Sequence, residues 1–337
     1  MAILSAGRAL RLHAALLVLL AVVPASAQQP VQSSILEVRV NAFPNAKALP
    51  LHAGIAKGIF ARRGLKIDLT LTENSRSQRE GLATGKSDIV HSAVDNAVAM
   101  IEVAKQDIVI VSGGDSGMNE FFVQPEIKSF ADLRGRTIIV DAPDTAYALL
   151  AKKILAQHGL KEGADYTVKP VGAGVYRFKA MMDDKSNAGG ILNLPFTVQA
   201  EQAGLKSLGR TVDMLGPYQA AGTFTQRAWA QANAQTLERY LAAYVEAVRW
   251  VRDPANKTEA TAILIDKLKL DPAAAARTYE LLMDPGFGFT PDAKFDLTGF
   301  RNMLALRAEI EGGREAPAPE RYIDLGYYER ALKLLGN

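Results

Sequence analysis

Two segments with the order strand, polar turn and helix place the strongest constraint on how this chain can fold. Residues 137–140 (TIIV) form a short β-branched run that predicts a buried strand. Residues 141–144 (DAPD) interrupt that run, and from Thr145 the apolar side chains recur at helical spacing. A strand, a short turn and a helix start make up half of a βαβ unit, which is typical of α/β folds.

An earlier segment has the same pattern. Residues 87–91 predict a strand, residues 92–95 a turn and residues 96–104 a helix. Backbone N–H groups at the start of such a helix point towards whatever occupies the crevice beyond the strand. Two of these units, one in each half of the chain, predict a cleft between two α/β lobes.

The rest of the chain divides into an alternating part and a helical part. Up to about residue 226, short apolar runs alternate with helical segments, which predicts mostly parallel sheets with crossover helices. In this part a strand region is expected over residues 206–214. After Asn233 the apolar spacing is helical only, which predicts a helical C-terminal third over residues 237–250, 259–268, 273–283, 295–310 and 325–335.

Two further strands are expected to connect the lobes. Residues 120–123 predict the first crossing into the second lobe, and residues 218–226 predict the return. The expected organisation is therefore a first part of lobe 1 at 28–120, lobe 2 at 121–218, and the return strand and C-terminal helices of lobe 1 at 219–337.

The composition excludes several classes of function. Lys and Arg total 39 against 36 Asp and Glu, so the charge gives no case for nucleic-acid binding. The chain has no cysteine, which excludes disulfides, thiolate metal ligands, cysteine nucleophiles and lipid attachment at an N-terminal cysteine. His52, His91 and His158 show no metal-ligand spacing, so we expect no metal and no other cofactor.

The first 27 residues have the three parts of a secretory signal. Arg8 and Arg11 form the charged region, residues 14–23 the apolar core, and residues 25–27 (ASA) the small-residue cleavage site. The apolar run is too short to span about 30 Å of hydrocarbon comfortably. We expect cleavage after Ala27 and a protein that is free in the periplasm, without a lipid anchor.

Three motifs occur in the order and spacing of a known family. Residues 52–60 (HAGIAKGIF) with 63–65 (RGL), residues 82–89 (LATGKSDI) and residues 130–138 (FADLRGRTI) resemble segments of periplasmic substrate-binding proteins. The family in question serves ABC importers of nitrate, sulfonates, taurine and thiamine precursors. The similarity runs across most of residues 36–250.

The resemblance implies a periplasmic-binding-protein type II fold, with two α/β lobes joined by two crossing strands. It also implies a receptor that traps a small polar molecule by hinge closure and delivers it to an ABC importer permease, without catalysing a reaction. The implied solute is a sulfonate, an amino-sulfonate or a pyrimidine of the thiamine-precursor class, and a monomer is expected. One enzyme branch of the family carries a cysteine-rich motif, which this chain lacks.

The ligand should contact loops at the carboxyl ends of strands and at helix starts. The candidates that satisfy this placement are Phe43, Asn45, Asn74, Ser92, Asp95, Asn96, Asp141, Thr145, Ala146, Asn193 and Phe196. The alternative for the hydroxyl and acidic members is helix N-capping, and for the two phenylalanines it is core packing.

The acids carry one conditional inference about the ligand. If Asp95, Asp141 or Asp144 faces the cleft, the ligand should carry a hydrogen-bond donor or a cationic nitrogen, because a carboxylate neutralises the positive end of a helix. If all three face elsewhere, this preference disappears.

Two other functions remain open at this stage. An exported enzyme of the lyase type on the same scaffold would need a base, for which Asp95, Asp141 and His91 are the candidates. A sensor component that presents loaded ligand to a membrane kinase is the other alternative.

Overall fold

The computed structural model describes residues 35–313 and 315–336, so the predicted signal segment 1–27 lies outside the described residues. Within the described part, no helix combines the length and the apolar character that a membrane crossing requires.

The strands are β1 Leu36–Ala42, β2 Leu65–Leu71, β3 Ile89–Ala93, β4 Ile108–Asp115, β5 Asn119–Val123, β6 Arg136–Val140, β7 Tyr166–Pro170, β8 Asn187–Asn193, β9 Lys206–Arg210 and β10 Ala221–Gln226.

The helices alternate with the strands as far as β10 and then follow one another. They are α1 Leu49–Ala56, α2 Ile59–Arg62, α3 Ser75–Ala83, α4 Val94–Glu102, α5 Ala146–Gln157, α6 Gly174–Asp183, α7 Phe196–Gln202, α8 Thr211–Leu215, α9 Arg227–Ala232, α10 Ala234–Arg252, α11 Lys257–Leu268, α12 Pro272–Leu282, α13 Leu297–Ile310 and α14 Gly326–Lys333. Short 3₁₀ helices cover Ala46–Ala48, Phe130–Leu133, Pro254–Asn256, Pro291–Ala293 and Pro319–Arg321.

The strands form two five-stranded sheets with the same architecture. The order is β2-β1-β3-β10-β4 in the first sheet and β7-β6-β8-β5-β9 in the second. In each sheet one strand is antiparallel to both of its neighbours, namely β10 in the first and β5 in the second, and the other four share one direction. The predicted two-lobed α/β fold with mostly parallel sheets is therefore confirmed.

The antiparallel strands are the ones that follow a crossing between sheets. β5 comes directly after β4 along the chain, and β10 is the first strand after β9. Each crossing strand is inserted between two strands of the sheet that it joins, so neither sheet is complete without it. The residues at which one lobe gives way to the other, 121 and 219, stay a prediction.

Local signals set several helix starts. The side chain of Asn74 accepts a hydrogen bond from the Ser77 amide at 2.9 Å, which caps α3. Ser129 and Asp132 form the reciprocal capping box that begins the 3₁₀ helix before β6. Such caps satisfy backbone donors that have no partner inside the helix, which is why short polar patterns fix these boundaries.

Two predictions about local structure are wrong. Residues 92–95 do not form a turn, because β3 continues through Ala93 and α4 begins directly at Val94. Pairing with β10 from a distant part of the chain holds Ser92 and Ala93 in the extended state, opposite Gly222 and Ala221. The predicted strand region over 206–214 ends at Arg210, after which α8 begins.

The C-terminal third contacts both lobes. On the first sheet, buried Tyr240 and Leu241 of α10 belong to the same apolar core as Val38 and Val40 of β1. Two ion pairs join the rest of the C-terminal third to the second lobe. Lys153 of α5 meets Glu309 of α13 at 2.6 Å, and Arg210 of β9 meets Asp284, which follows α12, at 3.5 Å. The C-terminal helices therefore link the two sheets in addition to the crossing strands.

Replacing Gly190 by alanine should destabilise the second sheet. Gly190 lies on β8 opposite Ile139, and an added Cβ would stand 2.6 Å from the carbonyl oxygen of Ile139. Because that atom belongs to the backbone of a central strand, we expect an overpacking cost of about 1–3 kcal/mol in the free energy of unfolding. Urea denaturation measures this cost.

Gly81→Ala is the matched control, since Gly81 lies inside α3 and its added Cβ meets nothing closer than 3.9 Å. Alanine there should raise the stability by about 0.5–1 kcal/mol. Equal effects of the two substitutions would contradict the packing described for β8.

Candidate functional site

A cavity lies between the two lobes, at the edge where the parallel strands of the first sheet end. The cavity volume is about 50 Å³, counted as the space open to the centre of a water-sized sphere. This size suits a small solute rather than a peptide or a lipid. The first lobe contributes the residues that follow β1, the end of β3, the end of β4 and the start of β10. The second lobe contributes Asn119 of β5 and Thr145, Ala146 and Tyr147 at the start of α5.

The lobes contact each other beside this cavity. The amide of Ser75 at the start of α3 donates a hydrogen bond to Asp141 Oδ2 at 3.3 Å, although the two residues follow strands of different sheets. Next to this contact Arg79 forms an ion pair with Asp144 at 3.0 Å. Both contacts therefore join the two lobes directly beside the cavity.

Six predicted site residues line the cavity, and five do not. The lining residues are Phe43, Asn45, Ser92, Asn96, Thr145 and Ala146. The other five, Asn74, Asp95, Asp141, Asn193 and Phe196, lie outside the lining.

Each of these five has another role in the structure. Asn74 caps α3, and Phe196 packs in the second-lobe core with its ring 6.4 Å from that of Phe178. Asn193 lies behind the cavity wall, where its Nδ2 donates to the hydroxyl of Tyr147 at 2.7 Å. Asp141 forms the contact between lobes described above.

Asp95 is part of a buried polar cluster on the far side of α4. It accepts a hydrogen bond from the hydroxyl of Tyr218 and lies 3.6 Å from the guanidinium of Arg307. Burial raises the pKa of Asp95, and the nearby Arg307 acts in the opposite direction. Since Asp95, Asp141 and Asp144 all lie outside the lining, these three acids give no reason to prefer a ligand with a hydrogen-bond donor or a cationic nitrogen.

Neither hydroxyl at the two main helix starts acts as a cap. Thr145 and Ser92 make no capping hydrogen bond to α5 or α4. Instead Thr145 Oγ1 donates to the carbonyl of Ala142 at 2.9 Å, and Ser92 Oγ accepts from Asn96 Nδ2 at 2.9 Å. The capping alternative therefore does not account for either residue.

One amide orients two hydroxyls on the cavity wall. Asn96 Nδ2 donates to Ser92 Oγ at 2.9 Å and to Ser75 Oγ at 3.0 Å, and all three residues line the cavity. Because each hydroxyl oxygen accepts from the amide, its own hydrogen is left to donate elsewhere. Within the described residues neither hydroxyl has an acceptor, so both are available to a ligand.

An ion pair lies in the wall of the cavity. Lys47 Nζ is 2.9 Å from Asp115 Oδ1, and the exposed fractions of the two side chains are 16% and 2%. Asp115 Oδ1 also accepts from the amide of Gly117 at 2.7 Å. The cavity thus holds one positive and one negative group in contact.

Sequence reasoning did not propose several lining residues, including Lys47, Asp115, Tyr147 and Tyr244. Asp115 had a usable signal, because it ends β4 just before the first crossing. Tyr244 had none, because α10 meets the first sheet only through tertiary packing. His91, considered as a base for the enzyme alternative, also lines the cavity.

His91 is held between two tyrosines of α10. Its Nε2 lies 2.7 Å from the Tyr240 hydroxyl, and its ring lies 4.4 Å from that of Tyr244. Burial lowers the pKa of His91 to about 3, so the imidazole is neutral at pH 7.

Among the described residues no group of three or more His, Asp or Glu side chains is arranged to hold a metal ion.

A family model supports the sequence-based resemblance. The model described as "NMT1/THI5 like" matches residues 45–257, which is more than half of the chain. No curated protein matches the chain significantly.

Several solved structures share the fold. A protein of Bordetella bronchiseptica RB50 superposes with a TM-score of 0.78 at 22% identity, covering 89% of this chain and 98% of that one. The periplasmic nitrate-binding protein NrtA from Synechocystis PCC 6803 gives 0.75 at 14% identity, covering 89% of each chain. The alkanesulfonate-binding protein SsuA from Xanthomonas axonopodis pv. citri, bound to MOPS, gives 0.69 at 17%, covering 86% of this chain and 97% of that one.

The Lys47–Asp115 pair can be tested by a double-mutant cycle. Lys47→Met should lower the free energy of unfolding by about 3–5 kcal/mol, because it leaves the buried Asp115 carboxylate without its cation. Lys47→Met combined with Asp115→Asn should recover most of that loss, since the remaining amide carries no charge. Urea unfolding of the four proteins gives the coupling free energy. Additive effects of the two substitutions would contradict the ion pair.

Proposed function

The chain belongs to the NMT1/THI5-like family, and from this premise we propose that it is a solute-binding receptor of an ABC importer. In this proposal the two lobes close around one small polar molecule and deliver it unchanged to a membrane permease. The receptor acts as a monomer in the periplasm, after removal of residues 1–27.

The observation that carries the proposal is a small cavity whose walls come from both lobes. Ser92 and Asn96 belong to the first lobe, whereas Thr145 and Ala146 begin a helix of the second. A ligand that contacts both walls stabilises the closed form more than the open one, which is the requirement for closure driven by binding. An isolated pocket within one lobe would not provide this coupling.

The donors on the walls favour a ligand rich in hydrogen-bond acceptors. The hydroxyls of Ser75 and Ser92 have hydrogens to donate, and the start of α5 offers backbone N–H groups of a helix with 12 residues. Lys47 adds a cation to the same cavity. These features support the sulfonate and amino-sulfonate classes, with the amino group of the latter suited to Asp115. A pyrimidine of the thiamine-precursor class is the alternative.

The enzyme alternative has little chemical support at this cavity. Of the three candidate bases, Asp95 and Asp141 lie outside the lining. His91 does line the cavity, but with a pKa near 3 it is a weak base at neutral pH.

A ligand-presenting sensor would use the same cavity, and a pull-down of the membrane partner distinguishes it from an importer component.

A thermal-shift panel tests the proposal. The panel contains ethanesulfonate, taurine, nitrate, a 4-aminopyrimidine and benzoate. A compound present at 100 times its Kd adds about 2.7 kcal/mol to the stability of a protein that binds it only when folded, and so raises the Tm by several degrees. We expect a saturable rise with at least one sulfonate and unchanged compound after incubation. Conversion of the compound would support the enzyme, and no rise with any compound would contradict the proposed receptor.

Ser75→Ala should weaken the binding of the compound that raises the Tm. It removes one hydroxyl that is free to donate into the cavity, and a hydrogen bond to a charged group contributes about 1.5–3 kcal/mol. The expected loss of affinity is therefore about tenfold to a hundredfold by isothermal titration calorimetry. Ser77→Ala is the control, because Ser77 is an exposed residue of the same helix outside the cavity. Equal affinities of the two variants would exclude Ser75 from the site.

A further inference from the structure

His91 makes one specific contact that determines where its proton lies. Its Nε2 and the hydroxyl oxygen of Tyr240 are 2.7 Å apart, and either atom could in principle be the donor. Tyr240 is fully buried, with its ring stacked 5.5 Å from that of Phe60. The direction of this hydrogen bond therefore depends on what else the buried hydroxyl can reach.

The Tyr240 hydroxyl has His91 Nε2 as its only hydrogen-bond partner in the part of the chain that the structure describes. If Nε2 carried the proton and donated, the buried hydroxyl hydrogen of Tyr240 would have no acceptor and would bear the full desolvation cost. If Tyr240 donates to the lone pair of Nε2, both atoms are satisfied. A neutral imidazole carries one proton, which must then be on Nδ1.

The other nitrogen of His91, Nδ1, has no hydrogen-bond partner within the described residues and is not fully buried. It therefore keeps some accessible surface, and His91 lines the cavity between the lobes. A proton on Nδ1 is thus available to a molecule in that cavity.

The surroundings of His91 contain no carboxylate that would charge the ring. The ring is packed between Tyr240 and Tyr244 of α10, and burial alone lowers its pKa to about 3. Burial also raises the pKa of both tyrosines, so both stay protonated. The charged residues that line the cavity, Lys47 and Asp115, are paired with each other.

We propose that His91 is a ligand-recognising residue that presents a neutral Nδ1–H donor to the cavity, with Tyr240 as the positioning residue that fixes this tautomer. The role in recognition rests on the proposed solute-binding function. A neutral donor recognises an acceptor atom such as a sulfonate or carbonyl oxygen without adding a second positive charge beside Lys47. It also keeps this contact unchanged across the pH range in which an ordinary histidine would titrate.

Long-range ¹H–¹⁵N NMR of the imidazole rings in the ligand-free protein tests the tautomer directly. We expect Nδ1 of His91 at the protonated position and Nε2 at the unprotonated position, with neither signal moving between about pH 5 and pH 8. Assignment uses His52→Gln and His158→Gln, which each remove the signals of another imidazole of the described residues. A protonated Nε2, or titration near the ordinary histidine pKa, would overturn the proposal whatever the variants show.

Two matched tyrosine variants separate the hydrogen bond from ring packing. Tyr240→Phe keeps the buried ring but removes the donor, so the proton should move wholly or partly to Nε2 and both ¹⁵N shifts should change. Tyr244→Phe, which alters the other ring against His91, should leave the tautomer as it is, because the Tyr244 hydroxyl makes no hydrogen bond to His91. Equal shifts in both variants would contradict the assigned role of Tyr240.

The last measurement addresses recognition. For each panel compound that raises the Tm, saturation should shift the Nδ1 signal of His91 and slow exchange of its proton with water. An unchanged Nδ1 signal with such a compound bound would overturn the recognition role while leaving the receptor function intact. If no panel compound binds, the receptor proposal and the recognition role fail together, whereas the ligand-free spectra still decide the tautomer.

Discussion

The two crossing strands are the constraint on which the rest of the structure depends. β10 enters the first sheet between β3 and β4, and β5 enters the second between β8 and β9, each antiparallel to both neighbours. Backbone hydrogen bonds within a sheet are costly to lose in a buried core. Each lobe is therefore completed by a strand that arrives from the other lobe. The cavity lies where these crossings bring the two lobes together.

The same strand pairing sets the chemistry of the cavity. Because β10 pairs with β3 as far as Ala93, α4 begins without a turn, and Asn96 in the first turn of α4 follows Ser92 of β3 by four residues. That spacing allows a single amide to bind the hydroxyls of Ser92 and Ser75 together. The orientation of two donors towards the cavity thus follows from a register between strands more than a hundred residues apart in sequence.

Much of the fold was predictable because its signals are local. The β-branched run over 137–140 and the helical spacing after Asn233 correspond to a strand and to consecutive helices at the predicted places. The site was predictable only in part, since position at a strand end does not determine the direction of a side chain. Asp95 and Asn96 are neighbours in α4, yet a rotation of about 100° per residue turns one towards Arg307 and the other towards the cavity. Lys47 and Tyr244 enter the site through tertiary packing, which no local pattern specifies.

The links from the C-terminal helices to the second lobe have a kinetic consequence. Lys153–Glu309 and Arg210–Asp284 join the second lobe to the C-terminal segment, so an opening that separates these two parts would break or stretch the pairs. Under the proposed receptor function, the protein would pass through a gated conformation before a solute can enter. Its observed association rate would then level off as solute concentration rises, at a plateau set by the frequency of opening. Higher ionic strength, which weakens exposed ion pairs, would raise that plateau.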